Sequence, residues 1–316
     1  MTIASQDCRI KLTRWDKEVC IQMSQTIILQ QLVNGISLGG VYALMAVGFG
    51  IIFNILKFSN FSHSGVVAIS AYLGFFITTR LTQNIFLALF LTTLGGGLAG
   101  LLVERCVFRP IRIQNKPLTY LFVNSITVAM LVQQFFSAMW GRYFFPYPQL
   151  LEKTVFHLGS LVVSRSYMIM LAISAVVLVA LSLFLQKTKI GIAVRAASTD
   201  IYTPALMGVN TDFIIGMTFV IAGLLAGVTG FFLGMTYTVT PFIGSMILKG
   251  IIAAIIGGIG SLGGGIIAGI LLGVVEALLI AEVGAAITPI IIYSSIVILL
   301  LVRPQGIAGK LVSVKA

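Results

Sequence analysis

The feature that most constrains this chain is a succession of continuous apolar runs, each long enough or nearly long enough to cross a lipid bilayer. They occupy residues 27–53, 64–79, 84–103, 118–140, 167–186, 213–237, 245–260, 264–283 and 287–302. A helix needs about 20 apolar residues to traverse the hydrocarbon. Inside lipid every backbone N–H and C=O must be paired within the protein, which leaves helices and closed barrels. Barrel strands alternate apolar and polar residues, whereas these runs do not. The expected fold class is therefore all-α: a polytopic transmembrane bundle of eight to nine spans.

Composition agrees, with 58% hydrophobic and 9% charged residues where soluble domains carry roughly 25% charged. The formal net charge is +11, but the basic residues sit in short connectors and termini, where they orient spans, so no nucleic-acid partner is expected. Cys8, Cys20 and Cys106 show neither metal-ligand spacing nor a pairing pattern and are read as free thiols. "SLGGG" at 261–265 lacks the Lys-Ser/Thr of a phosphate-binding loop, and "GIAGK" at 306–310 has the wrong glycine spacing. With no nucleophile elbow or metalloprotease pair either, no catalytic residue and no metal are expected.

Basic residues also set the orientation. Arg105, Arg109, Arg112 and Lys116, then Lys187, Lys189 and Arg195, then Arg303, Lys310 and Lys315 mark three regions as cytoplasmic. The connector 141–166 then falls outside. The N-terminus stays open: nine complete crossings put it outside, eight plus one incomplete segment put it inside. Residues 64–79 form the weakest span and the candidate re-entrant piece, which favours eight. Residues 1–26 read as a polar extension without a signal-peptide core, and "MSQTIILQQLVNG" from Met23 looks like a start, leaving 1–22 as an upstream extension or an over-called start. Residues 27–302 form one transmembrane domain and 303–316 a cytoplasmic tail.

Three features carry information about function. Glycines recur one turn apart at Gly35/Gly39, Gly96/Gly100, Gly223/Gly227, Gly230/Gly234, Gly265/Gly269 and Gly269/Gly273, a spacing that lets helix backbones approach closely. Lys249 and Glu276 are ionisable residues inside apolar runs, which is costly in a membrane. They flank the turn near Leu262 almost symmetrically, so an antiparallel hairpin puts them at similar depth. Either they pair, or Lys249 snorkels to the interface and Glu276 finds other partners. Thirdly, "NILKFSNFSHSG" at 54–65 concentrates Asn60, His63 and several hydroxyls, as a boundary loop or as the lining of a pathway.

The segment "GIAVRAASTDIYTPALMGVNTD" at 191–212 is polar between two apolar runs. Thr203 and Pro204 suit a helix start, Gly208 suits a left-handed C-terminal position, and Ala205, Leu206 and Met207 form a small apolar face. With the following "FIIGMTFVIAGLLAGVTG", it resembles the cytoplasmic loop and next helix of the LivH-like branched-chain amino acid ABC transporter permeases. "LQQLVNGISLGGVYALMAVGFGIIFNILKFSNFSHSG" resembles that family's opening and "LKGIIAAIIGGIGSLGGGIIAGILLGVVEAL" its late hairpin. The resemblance runs from about Thr26 to Gly309. Ser62, Ser64, Tyr202 and Pro204 depart from the usual pattern.

This resemblance implies a permease subunit of an ATP-driven importer in the bacterial inner membrane, moving branched-chain or related small amino acids. It implies a second homologous permease, two cytoplasmic ATP-binding subunits and an extracytoplasmic solute-binding protein as partners. ATP and magnesium are then used by those subunits, and this chain binds no cofactor. The coupling segment 189–212 would dock on an ATPase through Arg195, Ala197, Asp200, Pro204, Ala205, Leu206, Met207, Gly208, Asn210 and Asp212. Asn60, His63, Lys249 and Glu276 are the candidates for the translocation route. Relatives that carry urea or short amides are the alternative. An ion-coupled secondary transporter would need a coupling-ion site, against which the sparse intramembrane acids argue.

Overall fold

The computed structural model describes residues 14–114, 116–148, 150, 155–158, 161–200, 207–258 and 260–302. Helix α1 (Arg14–Leu56) is followed by α2 (Ser62–Arg80) and α3 (Ile85–Val103). A π-helical turn (Glu104–Phe108) carries α3 into α4 (Arg109–Ile113), and α5 (Leu118–Trp140) follows. Then come a two-stranded hairpin, β1 (Val155–Leu158) and β2 (Leu161–Ser164), and helices α6 (Arg165–Lys187), α7 (Lys189–Thr199) and α8 (Thr211–Thr236). A 3₁₀ turn (Ile243–Met246) leads into α9 (Ile247–Ile256), and α10 (Leu262–Val283) and α11 (Thr288–Val302) complete the bundle. The hairpin pairs Val155 with Ser164 and Leu158 with Leu161 inside the 141–166 connector.

Among the described residues, six helices are long and apolar enough to cross a membrane: Ile28–Leu56, Ile85–Ile113, Leu118–Trp140, Arg165–Lys187, Thr211–Thr236 and Leu262–Val283. Ile243–Ile256 and Thr288–Ile298 are shorter apolar helices. The chain is a multi-pass membrane protein. Large apolar side chains such as Phe135 on α5, Val176 on α6 and Leu301 on α11 point outward, as a lipid-facing surface requires.

The candidate re-entrant segment shows no break, yet it is not among the helices long and apolar enough to cross a membrane. Residues 64–79 lie within α2, an unbroken 19-residue helix, about 28 Å long at about 1.5 Å per residue. Its weak apolarity reflects burial rather than a break, because Ser62, His63, Ser70 and Thr78 all face protein. The interruption lies instead at 237–246, where Pro241 removes an N–H and biases Thr240 away from helix. There the chain leaves α8, and Val239 exchanges two 3.0 Å backbone hydrogen bonds with Phe145. The 3₁₀ turn then seats Gly244 against the backbone of Ser64 and the side chain of Ala68, in the first two turns of α2. Only ten residues of helix, α9, remain for the rest of that passage.

Glycine spacing does what the sequence implies. A Cβ on Gly39 would lie 2.6 Å from the Ile270 Cα, and one on Gly35 would lie 2.7 Å from the Val274 Cα. These contacts fix α1 antiparallel to α10, with the α10 glycines Gly269 and Gly273 against Ala43 and Gly39. Gly96 and Gly100 of α3 meet Gly223, Gly227 and Phe219 of α8 in a second antiparallel crossing. Gly230 lies against α2, where a Cβ would come 2.6 Å from the Val67 carbonyl oxygen. Such approach leaves no room for side chains and maximises dispersion contact, which drives helix association in lipid.

Candidate functional site: an intramembrane charge cluster and a basic-side helix

Four helices bring charge and hydroxyls together inside the bundle. Lys249 on α9 and Glu276 on α10 form an ion pair, Nζ to Oε1 2.5 Å. Both residues are buried, at 8% and 4% exposure, so Lys249 does not snorkel. The antiparallel α9–α10 hairpin produces this pairing, as the near-symmetric spacing about Leu262 implies. Tyr42 of α1 donates from its hydroxyl to Glu276 Oε2 at 2.9 Å and accepts from Lys249 Nζ at 3.1 Å. Tyr237, just beyond α8, lies 3.4 Å from the Tyr42 hydroxyl. The Lys249 ammonium also sits 5.2 Å from the Tyr42 ring centroid and 5.8 Å from that of Tyr237, within cation–π range.

The two tyrosines are the members of the cluster that sequence reasoning missed. Their signal was present: a tyrosine in an apolar run needs a partner for its hydroxyl once buried. Desolvating a lysine and a glutamate costs several kcal/mol per ion, and replacing such a pair with apolar residues is often neutral or stabilising. The cluster is therefore weak as a stability device, which turns attention to what its charges recognise.

Asn60 and His63 are both buried but do not join this cluster. The Asn60 Oδ1 accepts from the Ser62 amide at 3.1 Å and its hydroxyl at 2.6 Å, fixing the start of α2. His63 packs against Gly48 of α1, where a Cβ would lie 2.8 Å from Nε2. Gly48 thus makes room for the imidazole between α1 and α2.

The second feature lies at the end of the bundle that carries the basic connectors. Thr188 caps α7 by accepting from the Gly191 amide at 3.0 Å. Gly191, Val194 and Ala197 bury one face of α7, while Arg195 points away. Lys57, the one non-glycine residue with positive φ among the described residues, donates to the Ser198 carbonyl at 2.8 Å. That bond ties the end of α1 to the end of α7. Asp200 takes extended backbone and ends α7.

Pro204, Ala205 and Leu206, with the helix expected to begin at Thr203, lie outside the described residues. Met207 is 80% exposed, and Gly208 has φ +78 with open space around it, the left-handed geometry expected there. Asn210 caps α8 through the Phe213 amide at 3.1 Å. Asp212 pairs with Arg112 at 2.8 Å and Arg109 at 3.6 Å, and Arg112 also reaches the buried Glu104 at 3.0 Å. These residues tie α8 to α4 and the π-helical turn. Among the described residues no group of His, Cys, Asp and Glu is arranged to hold a metal.

With this geometry in view, comparison with known proteins is decisive. Residues 31–302 match the family described as "Branched-chain amino acid transport system / permease component". The chain belongs to this permease family. It is 32% identical over 296 residues to the high-affinity branched-chain amino acid transport system permease protein LivH of Salmonella typhimurium, covering 89% of this chain and 96% of that protein. BraD of Pseudomonas aeruginosa, also a high-affinity branched-chain amino acid transport system permease protein, is 32% identical with the same coverage. Among solved structures, PsaBC from Streptococcus pneumoniae in complex with Fab aligns with a TM-score of 0.45 at 15% identity, over 89% of this chain and 92% of that one. In this chain the charge cluster lies at the junction of α1, α9 and α10, with Tyr237 at the end of α8.

Proposed function

We propose that this chain is a membrane-spanning subunit of an ATP-driven ABC importer in the bacterial inner membrane, carrying branched-chain or related small amino acids. It works with a second homologous permease, two cytoplasmic ATP-binding subunits and an extracytoplasmic solute-binding protein. The observation that carries this reading is α7 with the segment after it. A short helix, capped at Thr188, lies at the basic end of a membrane protein, bonded to α1 through Lys57 and followed by the exposed apolar Met207. An apolar side chain left exposed at the basic end of the bundle is what a soluble partner's cleft would cover.

In this reading ATP binding closes the ATPase pair, which pushes on the segment at 189–212. The displacement reaches the membrane along two routes already built into the chain. One is the Lys57–Ser198 bond to α1, the other the Asp212–Arg112–Glu104 chain joining α8 to the end of α3. The alternation of access is then carried by helices whose close glycine contacts make them move as paired units. Met207→Asp tests this. In the reconstituted complex the variant should assemble and keep basal ATP hydrolysis, while ATP-driven leucine uptake falls about tenfold through loss of the docked face. Unchanged uptake at normal expression would remove the coupling role from this segment.

A further inference from the structure

A cavity of about 170 Å³ lies between the start of α6 and the end of α8. Its walls are Ser166, Tyr167, Met170, Phe232, Met235 and Thr236. One side is thus thioether and aromatic, the other hydroxyl. The residue after Thr236 is Tyr237, half-buried, whose hydroxyl stands 3.4 Å from that of Tyr42. Tyr42 in turn bonds both Glu276 and Lys249. The wall of this half-polar recess is thus followed directly in the chain by the first of two phenols that lead to a carboxylate and an ammonium held together.

We infer that the Lys249–Glu276 pair, with Tyr42 and Tyr237, is a binding site for a zwitterionic α-amino acid, which separates the pair and takes one partner from each. In the resting arrangement every charge is answered: Glu276 takes Lys249 on Oε1 and Tyr42 on Oε2. A neutral solute that parted the pair would leave two buried ions unpaired, at the desolvation cost of each. A singly charged solute would leave one. A zwitterion leaves none, because its carboxylate replaces Glu276 at the Lys249 ammonium and its ammonium replaces Lys249 at the Glu276 carboxylate.

The tyrosines suit this exchange. Both rings already face a cation at 5.2 and 5.8 Å, and an incoming ammonium passes the same π-faces. The lysine ammonium, with three donors on a flexible four-carbon stem, can turn from Glu276 to an incoming carboxylate without moving α9. Tyr42 and Glu276 stay fixed because their helices are locked through Gly35, Gly39, Gly269 and Gly273. The substrate's apolar side chain is left facing Met170, Phe232 and Met235, polarisable surfaces that adapt to branched or linear chains. The inference rests on the importer reading and narrows it, since urea and short amides carry no such pair of charges.

The test uses the assembled permease–ATPase complex in lipid nanodiscs, without the solute-binding protein, and radiolabelled leucine as the probe. The wild-type complex should bind leucine saturably. 4-Methylpentanoate, which lacks the ammonium, and 3-methylbutylamine, which lacks the carboxylate, should each compete at least about tenfold less well, the loss expected of one charged hydrogen-bonding partner. The variant Lys249→Met with Glu276→Gln leaves no unpaired ion, so it should assemble with its ATPase subunits, yet bind leucine at least about tenfold more weakly. A smaller loss in that variant, competition by either analogue within tenfold of leucine, or no saturable leucine binding to the wild-type complex would each overturn the site. The competition series needs only wild-type protein and decides the matter if the double variant fails to assemble. ATP-driven leucine uptake at the wild-type rate in the double variant would sink the site and leave the importer standing. A wild-type permease that recovers no ATPase subunit would instead sink the importer reading.

Discussion

At the scale of single residues, glycine is where space decides the outcome most sharply. Adding a methyl to Gly96 would bring it 2.5 Å from the Gly223 carbonyl oxygen and 2.7 Å from the Gly227 Cα, both backbone atoms that cannot rotate away. The α3–α8 crossing would have to open. Gly50 of α1, by contrast, has nothing within 4 Å of where its Cβ would sit. Gly96→Ala should therefore destabilise the protein by about 1–3 kcal/mol, in line with overpacking of a close interface, whereas Gly50→Ala should leave it unchanged or slightly raised through helix propensity. Thermal unfolding of the two variants in one detergent compares them directly, and equal melting temperatures would contradict the packing account. The same scale shows why the ion pair could be read in the sequence. Lys249 and Glu276 stand out because charge is rare in such runs, and their spacing about one turn fixes their relative depth. Tyr42 and Tyr237 stayed hidden because a tyrosine costs a membrane helix little, and its hydroxyl's need for a partner tells only once its burial is known.

Elements were legible where apolar length alone decides and illegible where a helix trades polarity for burial. The runs that became α3, α5, α6, α8 and α10 needed no tertiary information. The run at 64–79 looked weak because its serines and threonines were counted as if they faced lipid. In the bundle Ser70 and Thr78 return their hydroxyls to the Val66 and Gly74 carbonyls, one turn back, so their polarity costs little. The run at 245–260 looked sound because hydropathy does not register the non-helical path that Pro241 imposes upstream. α7 shows the converse. Its sequence reads as polar loop, but Thr188 ends α6, accepts the Gly191 amide and starts a second helix. Thr188→Ala should cost about 1 kcal/mol of local helix stability. Hydrogen exchange across Lys189–Thr199 should then quicken by about fivefold, the same energy expressed as an opening equilibrium, with α6 and α8 unaffected. Equal acceleration throughout α6 would mean that the cap supports the span rather than the basic-side helix.

For the whole molecule the question is direction. The end of α1 bonds to the end of α7 through Lys57 and, through Asn54, to Gly260 in the α9–α10 turn at 3.2 Å. All of these lie with Arg105, Arg109, Arg112, Lys187 and Lys189, at the end that the distribution of basic residues makes cytoplasmic. Since α1 runs antiparallel to α10, its residues near Ile28 lie at the opposite end, with Val283. Following the chain, α1, α3, α6, the broken 237–256 passage and α11 run toward the basic end, and α2, α5, α8 and α10 run away from it. Counting that passage, which runs from the Phe145–Val239 bridge to the turn at Gly260, as a crossing gives nine. Nine crossings predict that the N-terminal end of α1 lies outside. Thiol labelling checks this in a background where Cys8, Cys20 and Cys106 are replaced by serine. Leu29→Cys, at a 48% exposed position near the start of the first span, should react in intact spheroplasts with a membrane-impermeant maleimide, as should Arg142→Cys. Lys187→Cys should react only after the membrane is opened. If Leu29→Cys instead labels together with Lys187→Cys, α1 does not cross in the direction drawn here, and the antiparallel α1–α10 pair that holds Tyr42 and Glu276 in register would have to be rebuilt.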